Sequence, residues 1–196
     1  MYQLVLASQS PRRKEILQNA NIPLHTFSSE ISENLNENMS LDDALQELSR
    51  RKASAVIEKY ASLWSRPTIV LSADTVVVLD DDILGKPKDR AHAKSHLTRL
   101  SGRTHAVKTA FCLWNLDTKE VFTDCVTSKV EFKVISPEEL EAYLDTDEPY
   151  DKAGAYGIQG MGRSFVSSHD NSFFNIMGLP IERVLEVLST KDWKIS

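Results

Sequence analysis

An acidic residue interrupts the most apolar stretch of this chain. Thr68-Ile-Val-Leu-Ser-Ala-Asp-Thr-Val-Val-Val-Leu79 reads as an interior strand except at Asp74 and Thr75. Aspartate is poor in strands, and a buried carboxylate without a partner costs several kcal/mol, so Asp74 calls for a cation, a metal ion or hydrogen-bond donors. The bland alternative is a bulge or strand end at which Asp74 only caps the backbone.

A second candidate comes from comparing two helix starts. Ser136-Pro137-Glu138-Glu139 has a cap, a proline at the first position and acids facing the positive end of the helix dipole. Ser10-Pro11-Arg12-Arg13-Lys14 has the same cap and proline but three cations, each disfavoured there by about 0.3 to 1 kcal/mol when exposed. An anion would offset this: free helix N–H groups with Arg forks make a phosphate site, to which the hydroxyls of Ser8 and Ser10 can add donors. A solvated basic patch with carboxylate partners elsewhere is the competing reading.

Other motifs carry less. Gly85-Lys86-Pro87-Lys88-Asp89 puts cations at a tight turn before a helix that Asp89 can cap, and Lys86 could reach a phosphate. The G-x-x-x-x-G-K-[ST] pattern of Walker-type nucleotide sites is absent, as is the G-x-S-x-G of serine hydrolases. His92 and His96 lie one helical turn apart, but Ala93 replaces the glutamate of H-E-x-x-H, and an exposed polar helix face accounts for both. Asp80-Asp81-Asp82 reads as a solvated turn, with magnesium binding near Asp74 as the alternative.

Strands rich in β-branched and aromatic residues are predicted at Leu4 to Ala7, Thr68 to Leu79, His105 to Trp114 and Val121 to Val134, the last two forming a hairpin around Asn115 to Glu120. Helices are predicted from Pro11 to about Ala20, Leu41 to about Tyr60, Arg90 to about Leu100, Pro137 to about Leu144 and Ile181 to about Leu188. In the second, Ala44, Leu45, Leu48, Ala55 and Val56 supply the inward face. Four of the seven glycines crowd into Gly154, Gly157, Gly160 and Gly162, where the backbone needs positive φ or close approach. Strand-like and helix-like stretches are intermixed, as in a layered α/β or α+β fold.

The 196 residues, 41% of them hydrophobic and 26% charged, suit one domain or two closely joined lobes. A net charge of -5 argues against broad affinity for polynucleotide backbone, so any phosphate chemistry is local. Cys112 and Cys125 sit in apolar β-rich runs, as thiols of a reducing compartment do. The amino-terminal MYQLVLASQSPRRK lacks the basic region of a signal peptide and the length to span a bilayer; it reads as the first strand of a cytoplasmic protein that does not enter membranes.

These features coincide in a chain that resembles the Maf nucleoside triphosphate pyrophosphatases along nearly its whole length. The matching segments are Leu6-Ala-Ser-Gln-Ser-Pro-Arg-Arg13, Ala73-Asp-Thr75, Gly85-Lys-Pro87, Leu100-Ser-Gly-Arg-Thr-His105, Glu148-Pro149, Lys152-Ala-Gly-Ala-Tyr-Gly-Ile-Gln-Gly160 and Gly178-Leu-Pro180. Ser72 departs from the glycine common before Ala-Asp-Thr, and Ser168-His-Asp-Asn-Ser-Phe-Phe174 departs from the usual wording.

The resemblance implies a single Maf-like domain over 1–196, of the two-lobed, mixed-sheet, ITPase-like α/β kind with a cleft between the lobes, acting as a homodimer. It implies cleavage between the α- and β-phosphates of a nucleotide with Mg2+ or Mn2+. The Lys152 to Gly160 segment looks like the branch acting on dTTP, UTP and modified pyrimidine nucleotides. Asp74 matches the family's proton acceptor, and Arg13, Thr75 and Gln159 match positions tied to substrate choice, with Gln159 reading the base. Glu33, Lys52 and Lys86 match charged positions of the cleft. The implied catalytic set is Asp74, Lys86 and Glu33; Ser8, Ser10, Arg12, Arg13, Lys52, Thr75, Lys152 and Gln159 would bind substrate, and Asp74 and Glu33 the metal. A nucleotide-binding regulator of cell division with little turnover is the alternative.

Overall fold

The computed structural model describes residues 1–196. They fold as a seven-stranded mixed sheet with helices, the α/β class expected, and no helix is long and apolar enough to cross a membrane. The strands are β1 (Gln3–Leu6), β2 (Leu24–Thr26), β3 (Thr68–Leu79), β4 (Asp82–Leu84), β5 (Thr104–Asn115), β6 (Val121–Phe132) and β7 (Val166–His169). Their order is β2-β1-β3-β5-β6-β7, with β4 paired to β3. The helices are α1 (Pro11–Asn19), α2 (Leu41–Tyr60), α3 (Arg90–Leu100), α4 (Pro137–Leu144), α5 (Phe173–Met177) and α6 (Ile181–Thr190).

The chain divides into two compact units, one of residues 1–74, 109–126 and 178–196, the other of 75–108 and 127–177, and it passes between them within β3, β5 and β6 and again after Met177. In the first unit β1 lies parallel to both β2 and β3, so the crossovers carry helices. Helix α2 buries Ala53 and Val56 with Val5, Ala7, Val70 and Cys112 of the sheet, and Phe27, Tyr60 and Trp64 close the edge of this core. Its inward face is Ala44, Leu45, Leu48, Ser49, Lys52, Ala53 and Val56; Ala55, predicted inside, is only half-buried because Ala53 holds the position facing the sheet.

In the second unit β4 pairs antiparallel with β3 and β7 with β6. Tyr143, Phe132, Phe165, Tyr156 and His105 build an aromatic core of mainly edge-to-face contacts there. His96, expected on an exposed helix face, is buried instead, since Ala93, His96, Leu97 and Leu100 together form the inward stripe of α3. Asp80 and Asp82 of the acidic turn pair with Arg103 and Arg99. Neither cysteine forms a disulfide.

Candidate active site

The amino-terminal start of α1 has the form its residues dictate. Ser10 is extended and its hydroxyl accepts from the Arg13 amide, Pro11 fills the first turn, and no acid is present there. The Arg13 side chain is clamped: Nε donates to the Gly178 carbonyl at 2.8 Å and a terminal nitrogen to Ser8 Oγ at 3.2 Å. Ser8 Oγ also accepts from the Ser10 amide, so one hydroxyl braces both the turn and the guanidinium. Burial lowers the Arg13 pKa and Arg12 adds to this, while the negative charges of Asp74 and Glu33 oppose it. A guanidinium stays cationic under such a shift, and the opposing causes place Arg13 in the field of both carboxylates.

Those carboxylates meet on one ammonium. Lys52 Nζ donates to Glu33 Oε1 at 2.6 Å and also to Asp74 Oδ1, with the lysine side chain 7% exposed, Asp74 15% and Glu33 59%. The cation that Asp74 required is therefore Lys52, which lies on the buried face of α2 one turn after Ser49. A second contact keeps helix and strand in step: Ser72 Oγ donates to the Ser49 carbonyl at 2.5 Å, and Ser49 Oγ to the Ala110 carbonyl. Residues 72 and 74 share one face of β3 while 49 and 52 share one face of α2, so the serine that replaces a glycine here helps to aim Asp74 at Lys52.

The remaining candidates belong to the second unit. Thr75 follows Asp74 in β3 and is half-buried, and Lys86 stands exposed in the turn before α3, which Asp89 caps. That turn is tied to the glycine-rich segment, since the Gly154 amide donates to the Gly85 carbonyl. Gly154 has φ of 69°, and a β-carbon on it would lie 2.9 Å from Val77 Cγ2, which explains the need for glycine. Lys152 Nζ donates to the Glu148 carbonyl and to Asp151 Oδ1, so its ammonium fastens its own turn. Gln159 is half-buried in the loop beyond Tyr156.

The sequence placed Glu148 in a matching segment without a role, and it did not show the buried setting of Lys52. For Lys52 a signal existed, because Leu45, Leu48, Lys52 and Val56 follow helical spacing and put an ammonium into an apolar stripe.

A family model described as Maf-like protein matches residues 3–191. The chain belongs to the Maf family. Among curated relatives it is similar to a protein of Bacillus velezensis named dTTP/UTP pyrophosphatase, 43% identical over 185 residues that cover 94% of each chain. Proteins of the same name from Bdellovibrio bacteriovorus and Clostridioides difficile are 42% and 44% identical, covering 95% and 94% of this chain and 97% and 93% of theirs. Among solved structures the Ham1 protein of Staphylococcus aureus matches 66% of this chain and 71% of its own at 15% identity, with a TM-score of 0.43. Within this Maf chain the family segments around Asp74, Arg13 and Gln159 coincide with the charged cluster, the clamped arginine and the glycine-rich loop.

Proposed function

We propose that this chain hydrolyses dTTP and UTP, with modified pyrimidine nucleotides, to the monophosphate and pyrophosphate. The observation that carries the reading is the convergence of Asp74, Lys52 and Glu33 in the field of an arginine clamped at a helix N-terminus; the shared name of the relatives supports it. In this reading Arg12, Arg13 and the hydroxyls of Ser8 and Ser10 receive phosphate oxygens at the start of α1. A water oxygen bonds to the α-phosphorus as the bond from that phosphorus to the bridging oxygen breaks. The water proton passes to the Asp74 carboxylate, and pyrophosphate leaves with the bridging oxygen. Lys52 and Lys86 offset the charge that gathers on the leaving group. Thr75 and Gln159 choose the base.

The donor set fits a hard divalent cation. Glu33, and Asp74 where it serves as ligand and not as proton acceptor, would supply carboxylate oxygens, and phosphate and water oxygens would complete the shell as magnesium prefers. Bound there, Mg2+ or Mn2+ would polarise phosphoryl oxygens and neutralise their charge. The test is pyrophosphate release from dTTP, UTP, CTP, GTP and methylated GTP with each metal. Metal-dependent release favouring dTTP and UTP is the expected result; nucleotide binding without release from any of them would make the chain a nucleotide-binding protein instead.

A further inference from the structure

One carboxylate in the second unit collects hydrogen bonds from both ends of a short loop. Glu148 Oε2 accepts from the Met161 amide at 2.9 Å, and Oε1 accepts from the Gly162 amide at 3.0 Å and from the Tyr143 hydroxyl at 3.2 Å. The Tyr143 hydroxyl also hydrogen-bonds the backbone of Gly157. The segment Gly157–Gly162 is thus fastened at its first residue through tyrosine and at its last two directly, and Gln159 lies between the fastenings.

The loop has little room to settle elsewhere. Gly160 has φ of 74°, and a β-carbon there would stand 2.6 Å from Glu148 Oε2, while one on Gly162 would stand 2.7 Å from the Gly157 carbonyl. Upstream, the Tyr156 hydroxyl meets His105 Nε2 at 2.7 Å inside the aromatic core, so the residue preceding the loop is fixed too. The carboxylate at 148 presents two acceptor oxygens and no donor to a pair of amides and a hydroxyl.

We propose that Glu148 is a positioning residue for base selection, holding the Gly157–Gly162 loop so that the Gln159 amide faces the nucleobase in one orientation. This rests on the reading of Gln159 as the residue that tells one pyrimidine from another. An amide that rotates with a loose loop offers donor or acceptor indifferently, and discrimination between a ring that presents a carbonyl and one that presents an amino group falls.

The experiment measures kcat/KM for UTP and CTP in the unaltered protein, Glu148→Gln, Gln159→Ala and the double variant. In Glu148→Gln an amide NH2 faces the Met161 N–H, so one fastening is lost while size is kept. The UTP to CTP ratio is expected to fall about tenfold in Gln159→Ala and several-fold in Glu148→Gln, with the double variant no lower than Gln159→Ala alone. A ratio unchanged in Gln159→Ala removes the base-reading role and this proposal with it. A ratio that falls in Gln159→Ala but stays level in Glu148→Gln, even if both rates drop together, overturns the positioning role alone. Should Glu148→Gln fail to fold, Tyr143→Phe, which removes the hydroxyl's bonds to Glu148 and Gly157 and leaves the two amide bonds of Glu148 in place, decides: a lowered ratio supports the proposal and an unchanged one overturns it.

Discussion

Asp74 and Glu148 are both half-buried carboxylates, and their partners differ in kind. Asp74 is held by the ammonium of Lys52, which also serves Glu33, within reach of the Arg13 charge. Glu148 is held by two backbone amides and a hydroxyl. Side-chain cations on flexible stems can exchange one anion for another, so the ammonium that holds Asp74 can take a phosphate oxygen in its place. Main-chain donors cannot leave, and the second carboxylate therefore sets the shape of a loop. The same functional group is proposed to serve reaction in one place and positioning in the other because of what donates to it.

The sharpest way to break this contrast is Asp74→Asn. The amide keeps shape but cannot take a proton from water, so turnover is expected to fall about a thousandfold while the thermal midpoint stays within a few degrees. Near-normal pyrophosphate release from this variant would remove Asp74 from the chemistry. Lys52→Met comes next. It leaves Asp74 and Glu33 without their shared counter-charge, and urea unfolding is expected to show a loss of about 3 kcal/mol. Adding Asp74→Asn to Lys52→Met should restore about 1 kcal/mol or more, because the uncompensated buried carboxylate is then gone. Strict additivity of the two would mean the pair is not coupled.

On the positioning side the contrast sharpens with pH. Burial lowers the His105 pKa from 6.5 to about 4, so the ring is neutral in the folded protein at neutral pH, bonded to Tyr156. Below pH 6.5 the unfolded chain takes up a proton that the folded one refuses, and stability is lost as pH falls from 6.5 to about 4, then levels for this group. The loss attributable to His105 is about 3 kcal/mol over that interval. His105→Phe should flatten the stability profile there by that amount, measured by urea unfolding at stepped pH. A profile parallel to that of the unaltered protein would show that His105 does not titrate with folding.

Much of this arrangement was legible in the residues alone. The helices beginning at Pro11, Leu41, Arg90, Pro137 and Ile181 announce themselves by caps, prolines and apolar spacing, and all five form where predicted to within two residues. The strand Thr68–Leu79 and the demand of Asp74 for a cation follow from β-branched runs and the cost of burying charge. Strands β2, β4 and β7 and helix α5 were not predicted, since elements of three to five residues are too short to show a period. Their pairing is decided by tertiary register, as where β4 folds back on Val77–Leu79 after a left-handed Asp80. Glu148 stands in a matching family segment, but its role left no trace in spacing, because two of its three partners are backbone amides and any sequence has those.

The smallest effect separates the two helix starts. At α4 the capping box of Ser136 and Glu139 is complete and the acids already answer the dipole; at α1 no acid does so. Lys14 is exposed in that first turn. Lys14→Glu should therefore stabilise the protein by about 0.5 kcal/mol through the dipole while raising KM for UTP several-fold, because the new charge repels the phosphates that the start of α1 is proposed to hold. Stability and binding move in opposite directions only if the missing acid is a functional omission. A variant that gains stability and keeps its KM would make the cations of α1 a solvated patch, and would move phosphate binding away from this helix.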